Sequence, residues 1–178
     1  MERSDVKGAR MPAAQKDLLA AALDGDAFLL FDGAMGTQLQ ARGLAAGELP
    51  ELLCLTHPEV VTDVHAAYVA AGADVVTTNT FGANAAKLGD AATADLGPTG
   101  QLLAPMGPLA FDDAYELFAR QVRAAEAAGA DLFVIETMSD LAEAKAALLA
   151  ARENSSLPAL VTMTFEEDGR TFLGTTPE

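Results

Sequence analysis

The pentapeptide Ala-Ala-Gly-Ala-Asp occurs twice, as Ala70 to Asp74 and as Ala127 to Asp131. Each copy follows apolar residues at helical spacing and leads into an apolar run that ends in polar residues. A helix that stops at a glycine and is followed by a buried strand is typical of a parallel α/β fold. The 57-residue offset between the copies equals about two strand–helix units of roughly 30 residues, which predicts a barrel built from such units.

The same pattern extends outward in both directions. Apolar runs predict strands at residues 27–31, 73–80, 131–137 and 158–165, and a further strand that ends at Leu96. Helical periodicity predicts helices at residues 12–23, 58–71, 111–128 and 140–153. Thr56 and Glu59 have the spacing of a capping box for the second helix. For the last helix the spacing predicts an inner face made of Leu141, Ala144, Leu148 and Ala151.

These elements predict an α/β fold of the (βα)8 TIM-barrel type, present as a partial barrel of about five strands. Residues 1–26 are interpreted as an N-terminal helical extension and residues 27–178 as the barrel domain. The segment between Gly82 and Leu96 is too short for a full helix and a full strand, because such a crossover alone needs a dozen or more residues. A closed barrel of this kind needs about 250 residues. We therefore expect an open, internally shortened sheet whose edges favour self-association.

Composition excludes several functions. The chain has 178 residues and a formal net charge of −15, so its field repels phosphate backbones and anionic lipids. We expect no nucleic-acid partner and no membrane partner. The single cysteine cannot form an internal disulfide, which indicates a cytoplasmic setting.

Candidate ligand-binding residues lie where the predicted strands end, because parallel strand–helix folds bind ligands beyond the carboxyl ends of their strands. Asp32 and Glu136 follow two such strands. Two carboxylates that face one pocket could bind an ammonium group or share acid–base chemistry. In the alternative interpretation each carboxylate caps a helix or binds a loop amide.

Other reactive side chains are weaker candidates. Cys54 is interpreted as a packed residue, since no histidine pattern suggests an activated pair. His57 and His65 are eight residues apart, about 12 Å along a helix, so they cannot share one metal ion. An aldolase-like or phosphate-binding barrel is a further alternative, but neither Lys87 nor Lys145 lies at the end of a strand, where a Schiff base would form.

Taken together, six stretches resemble the homocysteine S-methyltransferase family, the homocysteine-binding barrel of methionine synthases and betaine-homocysteine methyltransferases. They occur in the family's order from about residue 27 onward. The stretches are Phe31-Asp32-Gly33-Ala34-Met35-Gly36-Thr37, Thr56-His57-Pro58-Glu59-Val60-Val61, Asp74 to Asn84, Gly97-Pro98-Thr99-Gly100, Ile135-Glu136-Thr137-Met138-Ser139-Asp140, and Gly169-Arg170-Thr171 with Gly174-Thr175.

The resemblance implies a set of substrate-binding residues. Asp32 and Glu136 would contact the amino group of homocysteine. The turn formed by Gly33, Ala34 and Met35 would present backbone amides to its carboxylate, and Asn79 and Thr80 would line the same pocket. In the family a zinc ion held by three cysteines lowers the pKa of the substrate thiol, so that a thiolate attacks the methyl donor.

This sequence departs from the family pattern in two places. The family's zinc cysteines belong to later strands, and Cys54 matches none of them. The region between Asn84 and Gly97 is shortened. The resemblance thus implies a methyltransferase-type domain for a small-molecule thiol, impaired because it lacks the zinc ligands; the alternative is a non-catalytic remnant or interaction module. Its donor, which in the family is betaine, a methylated sulfonium or a corrinoid-borne methyl group, stays open.

Overall fold

The computed structural model describes residues 13–82 and 96–177. These residues form two compact units, one ending at Asn79 and the other beginning at Thr80. The shortened segment predicted between Gly82 and Leu96 falls on residues 83–95, outside the described residues.

The described residues of the first unit form four α-helices and one 3₁₀ turn. They are α1 (Ala13–Leu23), α2 (Met35–Gln40), the 3₁₀ turn (Pro50–Leu52), α3 (Leu53–Thr56) and α4 (Pro58–Ala70). Pro58 occupies the first turn of α4, where the missing N–H of proline costs nothing, as predicted. Buried Leu39, Val61 and Val64 pack together and form the small core of this unit.

The capping box predicted for α4 is wrong. The N-cap residue is His57, and it makes no side-chain hydrogen bond to the helix. The hydroxyl of Thr56 donates instead to the carbonyl of Leu52 at 3.1 Å, because Thr56 belongs to the preceding one-turn helix α3.

The two strands predicted in the first unit are extended segments joined by a single parallel bridge between Phe31 and Val75. The unbroken apolar run predicted that the segment around residue 28 is covered on both faces, and this prediction is wrong. Phe28 is 97% exposed and Leu30 is 59% exposed. The bridge leaves their face of the segment in contact with solvent, which an apolar run cannot reveal.

The second unit is built on a parallel strand pair, β1 (Phe133–Met138) and β2 (Ala159–Met163). Helix α5 (Phe111–Ala128) precedes β1, and α6 (Leu141–Asn154) connects the two strands. Leu96, the residue at which a further strand was predicted to end, forms an isolated parallel bridge to Ile135 of β1. Gly129 ends α5 in a left-handed conformation, as the pentapeptide predicted.

The inner face of α6 differs from the prediction. Ala144 and Ala151 are buried, but Leu141 is 55% exposed and Leu148 lies at the surface. The buried face consists mainly of alanines together with Glu143. Close packing against α5 and the strands favours small side chains, so leucine spacing alone pointed to the wrong part of the helix.

Candidate functional site

Asp32 lies directly after the bridged segment of the first unit, and Thr77 binds its carboxylate. The backbone N–H of Thr77 donates to Oδ2 at 3.0 Å, and the Thr77 hydroxyl donates to Oδ1 at 2.9 Å. The backbone N–H of Asp32 donates to the Val75 carbonyl at 2.9 Å. The neighbouring extended segment therefore fixes both the backbone and the side chain of Asp32. This arrangement agrees with the alternative interpretation from the sequence, in which the Asp32 carboxylate binds a backbone amide.

Tyr68 on α4 contacts the turn that follows Asp32. The Tyr68 hydroxyl donates to the Ala34 carbonyl at 3.2 Å. A Cβ atom on Gly33 would lie 2.9 Å from the same hydroxyl oxygen, so only glycine fits this position without movement of Tyr68. Ala34 is the N-cap residue of α2, and Met35 is its first residue.

His65 on α4 lies near the charge of Asp32. Its Nδ1 atom is buried and has no hydrogen-bond partner among the described residues. Burial lowers the pKa of the His65 imidazole, and the negative charge of Asp32 partly opposes this shift. The sequence analysis assigned no role to His65, because the position of His65 on α4 does not indicate that it lies near Asp32.

Asn79 is buried and links two parts of the first unit. Its side-chain Nδ2 donates to the Pro50 carbonyl at 2.7 Å, and the Cys54 thiol donates to the Asn79 carbonyl at 3.5 Å. Burial raises the pKa of the Cys54 thiol. Cys54 is thus a packed, protonated thiol in helix α3. Asn79 was predicted as a substrate contact, and its hydrogen bonds also give it a structural role.

In the second unit Glu136 is half-buried on β1. Its backbone N–H donates to the Leu96 carbonyl at 3.3 Å, and its Oε2 accepts the Thr137 hydroxyl at 3.4 Å. Thr137 itself adopts a φ of 59°, an uncommon conformation for a β-branched residue. Its N–H donates to Oγ1 of Thr162 on β2 at 3.1 Å.

The Gly97 to Gly100 turn is anchored by a residue that the sequence pattern did not indicate. Glu143 is buried in the first turn of α6, and its Oε1 accepts both the N–H and the hydroxyl of Thr99. A Cβ atom on Gly97 would lie 2.5 Å from the Phe81 carbonyl oxygen, so the chain approaches itself closely here. The sequence signal that could have indicated this role is the position of Glu143, an acidic residue among the alanines of one face of α6.

The predicted site residues thus belong to two units. Asp32, Gly33, Ala34, Met35 and Asn79 lie in the first unit, whereas Thr80 and Glu136 lie in the second. Thr80 is buried. The predicted convergence of Asp32 and Glu136 on one ligand stays a prediction.

A pocket of about 730 Å³ opens in the first unit, between the end of α2 and the start of α4. It contains none of the predicted substrate-binding residues. Its wall is mainly apolar, with Arg42, Glu48 and His57 as the charged or titratable side chains. The lining residues are Leu39, Arg42, Gly43, Leu44, Gly47, Glu48, Leu49, Leu52, Leu53, Thr56, His57 and Val60.

Within residues 13–82 and 96–177, no three His, Cys, Asp or Glu side chains are grouped to hold a metal ion. Over the same residues, no helix is both long and apolar enough to cross a membrane.

Parallel strand pairing with helical connections, and polar residues after the strands, define an α/β protein of the class that binds ligands at its strand ends. A sequence profile described as Homocysteine S-methyltransferase matches residues 29–96 and 91–178. The chain therefore belongs to the homocysteine S-methyltransferase family.

Curated relatives agree with this assignment. Methionine synthase of Mycobacterium tuberculosis is 31% identical over 186 residues, which covers 80% of this chain and 16% of the relative. Methionine synthase of Mycobacterium leprae is also 31% identical over 186 residues and 80% of this chain, with 15% of its own length covered. The chain spans less than one fifth of the length of these relatives.

Solved structures show the same fold. The metallated form of the homocysteine methyltransferase MmuM from Escherichia coli superposes with a TM-score of 0.71 at 24% identity, over 89% of this chain and 70% of that one. The oxidized form gives a TM-score of 0.72 at 22% identity, over 89% and 69%. At this identity the likeness concerns the fold, which is of the barrel type.

Proposed function

We propose that this chain binds homocysteine as part of a domain whose intact form transfers a methyl group to the homocysteine thiol and yields methionine. The observation that carries the proposal is the Asp32 carboxylate, whose two oxygens both accept hydrogen bonds from Thr77, directly after a bridged extended segment in a chain of this family. An anchored carboxylate binds an ammonium group with little loss of side-chain entropy.

The remaining predicted contacts are proposed around this carboxylate. The Gly33 to Met35 turn, which Tyr68 supports, would receive the carboxylate of the amino acid. Asn79 and Thr80 would line the pocket. Glu136, half-buried on β1, would be the second acceptor for the ammonium group.

The residues present do not fit the zinc ion of the family. Cys54 is the one cysteine of the chain, and its thiol packs against Asn79 with a raised pKa, whereas a zinc-bound cysteine is a thiolate. In the family such a zinc ion would supply the substrate thiol as a thiolate nucleophile. We therefore propose substrate binding without methyl transfer by this chain alone.

Isothermal titration with L-homocysteine tests the proposal. Wild type should bind it, and both Asp32→Asn and Glu136→Gln should weaken binding by about tenfold or more, the scale of a charge-assisted hydrogen bond. Asp63→Asn on the exposed side of α4 serves as the matched control, and its affinity should equal that of wild type. Equal affinities in Asp32→Asn and wild type would contradict the assigned site.

Methyl transfer is tested separately. Methionine formation is measured with betaine, a methylated sulfonium amino acid and a corrinoid-borne methyl group, each with added zinc. No methionine should form with the isolated chain, and formation from any donor would overturn the proposed impairment.

The second candidate function is a non-catalytic interaction module. The exposed Phe28 and Leu30 favour it, because exposed apolar side chains on an extended segment promote association. Light scattering after size exclusion should then show oligomers that Phe28→Ser dissociates, whereas Leu55→Ser, at another exposed leucine, should not. A monomeric wild type would eliminate this candidate.

We further propose that residues 27–178 form one partial barrel shortened before Gly97. Support comes from the family match, which consists of two segments that meet at residues 91–96. The 186-residue alignment with methionine synthase is also longer than this 178-residue chain, so the relative contains residues that the chain lacks.

A further inference from the structure

We propose that Thr77 is a positioning residue, which orients the Asp32 carboxylate for the α-ammonium group of the thiol substrate and so selects amino-acid thiols over thiols without an amine. The proposal rests on the function proposed above and adds to it the residue that determines this selectivity.

The geometry is a two-point attachment. Thr77 supplies two donors, its backbone N–H to Oδ2 at 3.0 Å and its hydroxyl to Oδ1 at 2.9 Å. Two hydrogen bonds from one residue to the two oxygens of a carboxylate fix its position and also the plane in which it lies. One of these bonds uses the threonine side chain, so the orientation depends on the type of residue at position 77.

The backbone around Asp32 is already fixed. The Asp32 N–H donates to the Val75 carbonyl at 2.9 Å, and the Asp74 N–H donates to the Leu30 carbonyl at 2.8 Å. These backbone bonds still allow the Asp32 side chain to rotate. The hydrogen bond from the Thr77 hydroxyl restricts that rotation.

The anchored carboxylate can still receive a cation. Its two oxygens offer about four lone-pair sites, of which Thr77 uses two. His65 is a titratable group near Asp32, and burial lowers its pKa, so it is mainly neutral at pH 7.5 and supplies no competing positive charge. The carboxylate is therefore available to an ammonium group of a ligand.

The test compares two ligands and three proteins at pH 7.5. The ligands are L-homocysteine and 4-sulfanylbutanoic acid, which has the same thiol and carboxylate without the amine. The proteins are wild type, Thr77→Val, which is nearly isosteric but lacks the hydroxyl, and Thr77→Ser, which keeps it. Melting temperatures establish that each variant is folded, and Thr77→Ala replaces Thr77→Val if the valine variant is unfolded.

We expect Thr77→Val to weaken homocysteine binding by about tenfold, the scale of one hydrogen bond to a charged group. Its affinity for 4-sulfanylbutanoic acid should equal that of wild type, whether that affinity is measurable or absent. Thr77→Ser should bind homocysteine as wild type does. A residue with a merely structural role would change the binding of both thiols alike.

Three outcomes overturn the positioning role while the proposed function stands. They are unchanged homocysteine binding in Thr77→Val, an equal loss for both thiols, and failure of Thr77→Ser to retain affinity. A wild-type chain that does not bind homocysteine overturns the proposed function, and the role of Thr77 is lost with it.

Discussion

The Oε1 atom of Glu143 accepts two hydrogen bonds from Thr99, from the backbone N–H at 2.7 Å and from the hydroxyl at 2.6 Å. Both residues are buried. Burial raises the pKa of the Glu143 carboxyl, and the nearby charge of Asp140 acts in the same direction, whereas the Thr99 bonds oppose it. This interaction attaches the Gly97 to Gly100 turn to the start of α6.

The first prediction concerns stability and pH at Glu143. Its pKa is higher in the folded chain than its ordinary value of 4.5, so its contribution to stability is complete below that pH and is lost as the pH rises through the folded value. Glu143→Gln cannot ionise. Its melting temperature should therefore rise relative to wild type between pH 4.5 and 7, and parallel curves would contradict the raised pKa.

Glu143→Ala separates the hydrogen bonds from the charge. The buried Thr99 N–H then lacks its acceptor, which costs about 1–3 kcal/mol, whereas the Thr99 hydroxyl keeps the Gln101 carbonyl at 3.4 Å. The alanine variant should thus be less stable than Glu143→Gln at every pH, as measured by thermal denaturation.

The second prediction concerns His65. Burial places its folded pKa below its ordinary value of 6.5, so its neutral form is favoured and stability is lost as the pH falls from 6.5 through the folded value. The melting temperature of wild type should fall relative to His65→Gln between pH 7.5 and 5.5.

Asp32 provides an independent check of the same group. Its charge raises the pKa of His65, so Asp32→Asn should lower the pKa that the imidazole C–H proton reports in an NMR titration. An unchanged value would show that the two residues do not interact.

The helix ends were predictable from the sequence because their signals are local. Pro58 starts α4 and Gly129 ends α5, and each acts through its own backbone geometry. The capping box at Thr56 was wrong because residues 53–56 form a helix of their own, which uses the Thr56 hydroxyl.

The site could be predicted only in part. The position of Asp32 after an apolar run indicated a functional or capping carboxylate, but its partner Thr77 is 45 residues away and no spacing rule connects them. The same holds for Glu143 and Thr99, which are 44 residues apart. Such pairs depend on how segments pack, and packing also determined that alanines and Glu143 form the buried face of α6.

The third prediction concerns Gly97. In Gly97→Ala the new Cβ would lie 2.5 Å from the Phe81 carbonyl oxygen, a backbone atom that cannot move without shifting its segment. We expect a loss of about 1–3 kcal/mol, as for other overpacked sites. Gly36→Ala is the control, because nothing lies within 4 Å of its Cβ and it stands inside α2, where alanine favours the helix by about 0.5–1 kcal/mol. Equal melting temperatures for the two variants would contradict the close approach at Gly97.

The fourth prediction concerns Asp140, which caps α6 through a 2.8 Å hydrogen bond from the Ala142 N–H to its Oδ1. Asp140→Ala removes this acceptor and should cost about 1 kcal/mol, whereas Asp140→Asn keeps it and should cost little. The asparagine variant also removes the charge that raises the pKa of Glu143. Glu143 should then titrate at a lower pH in Asp140→Asn than in wild type, as followed by carboxyl NMR. If Asp140→Asn instead melts at the same temperature as Asp140→Ala, the aspartate acts through its charge at the start of the helix and not through the cap.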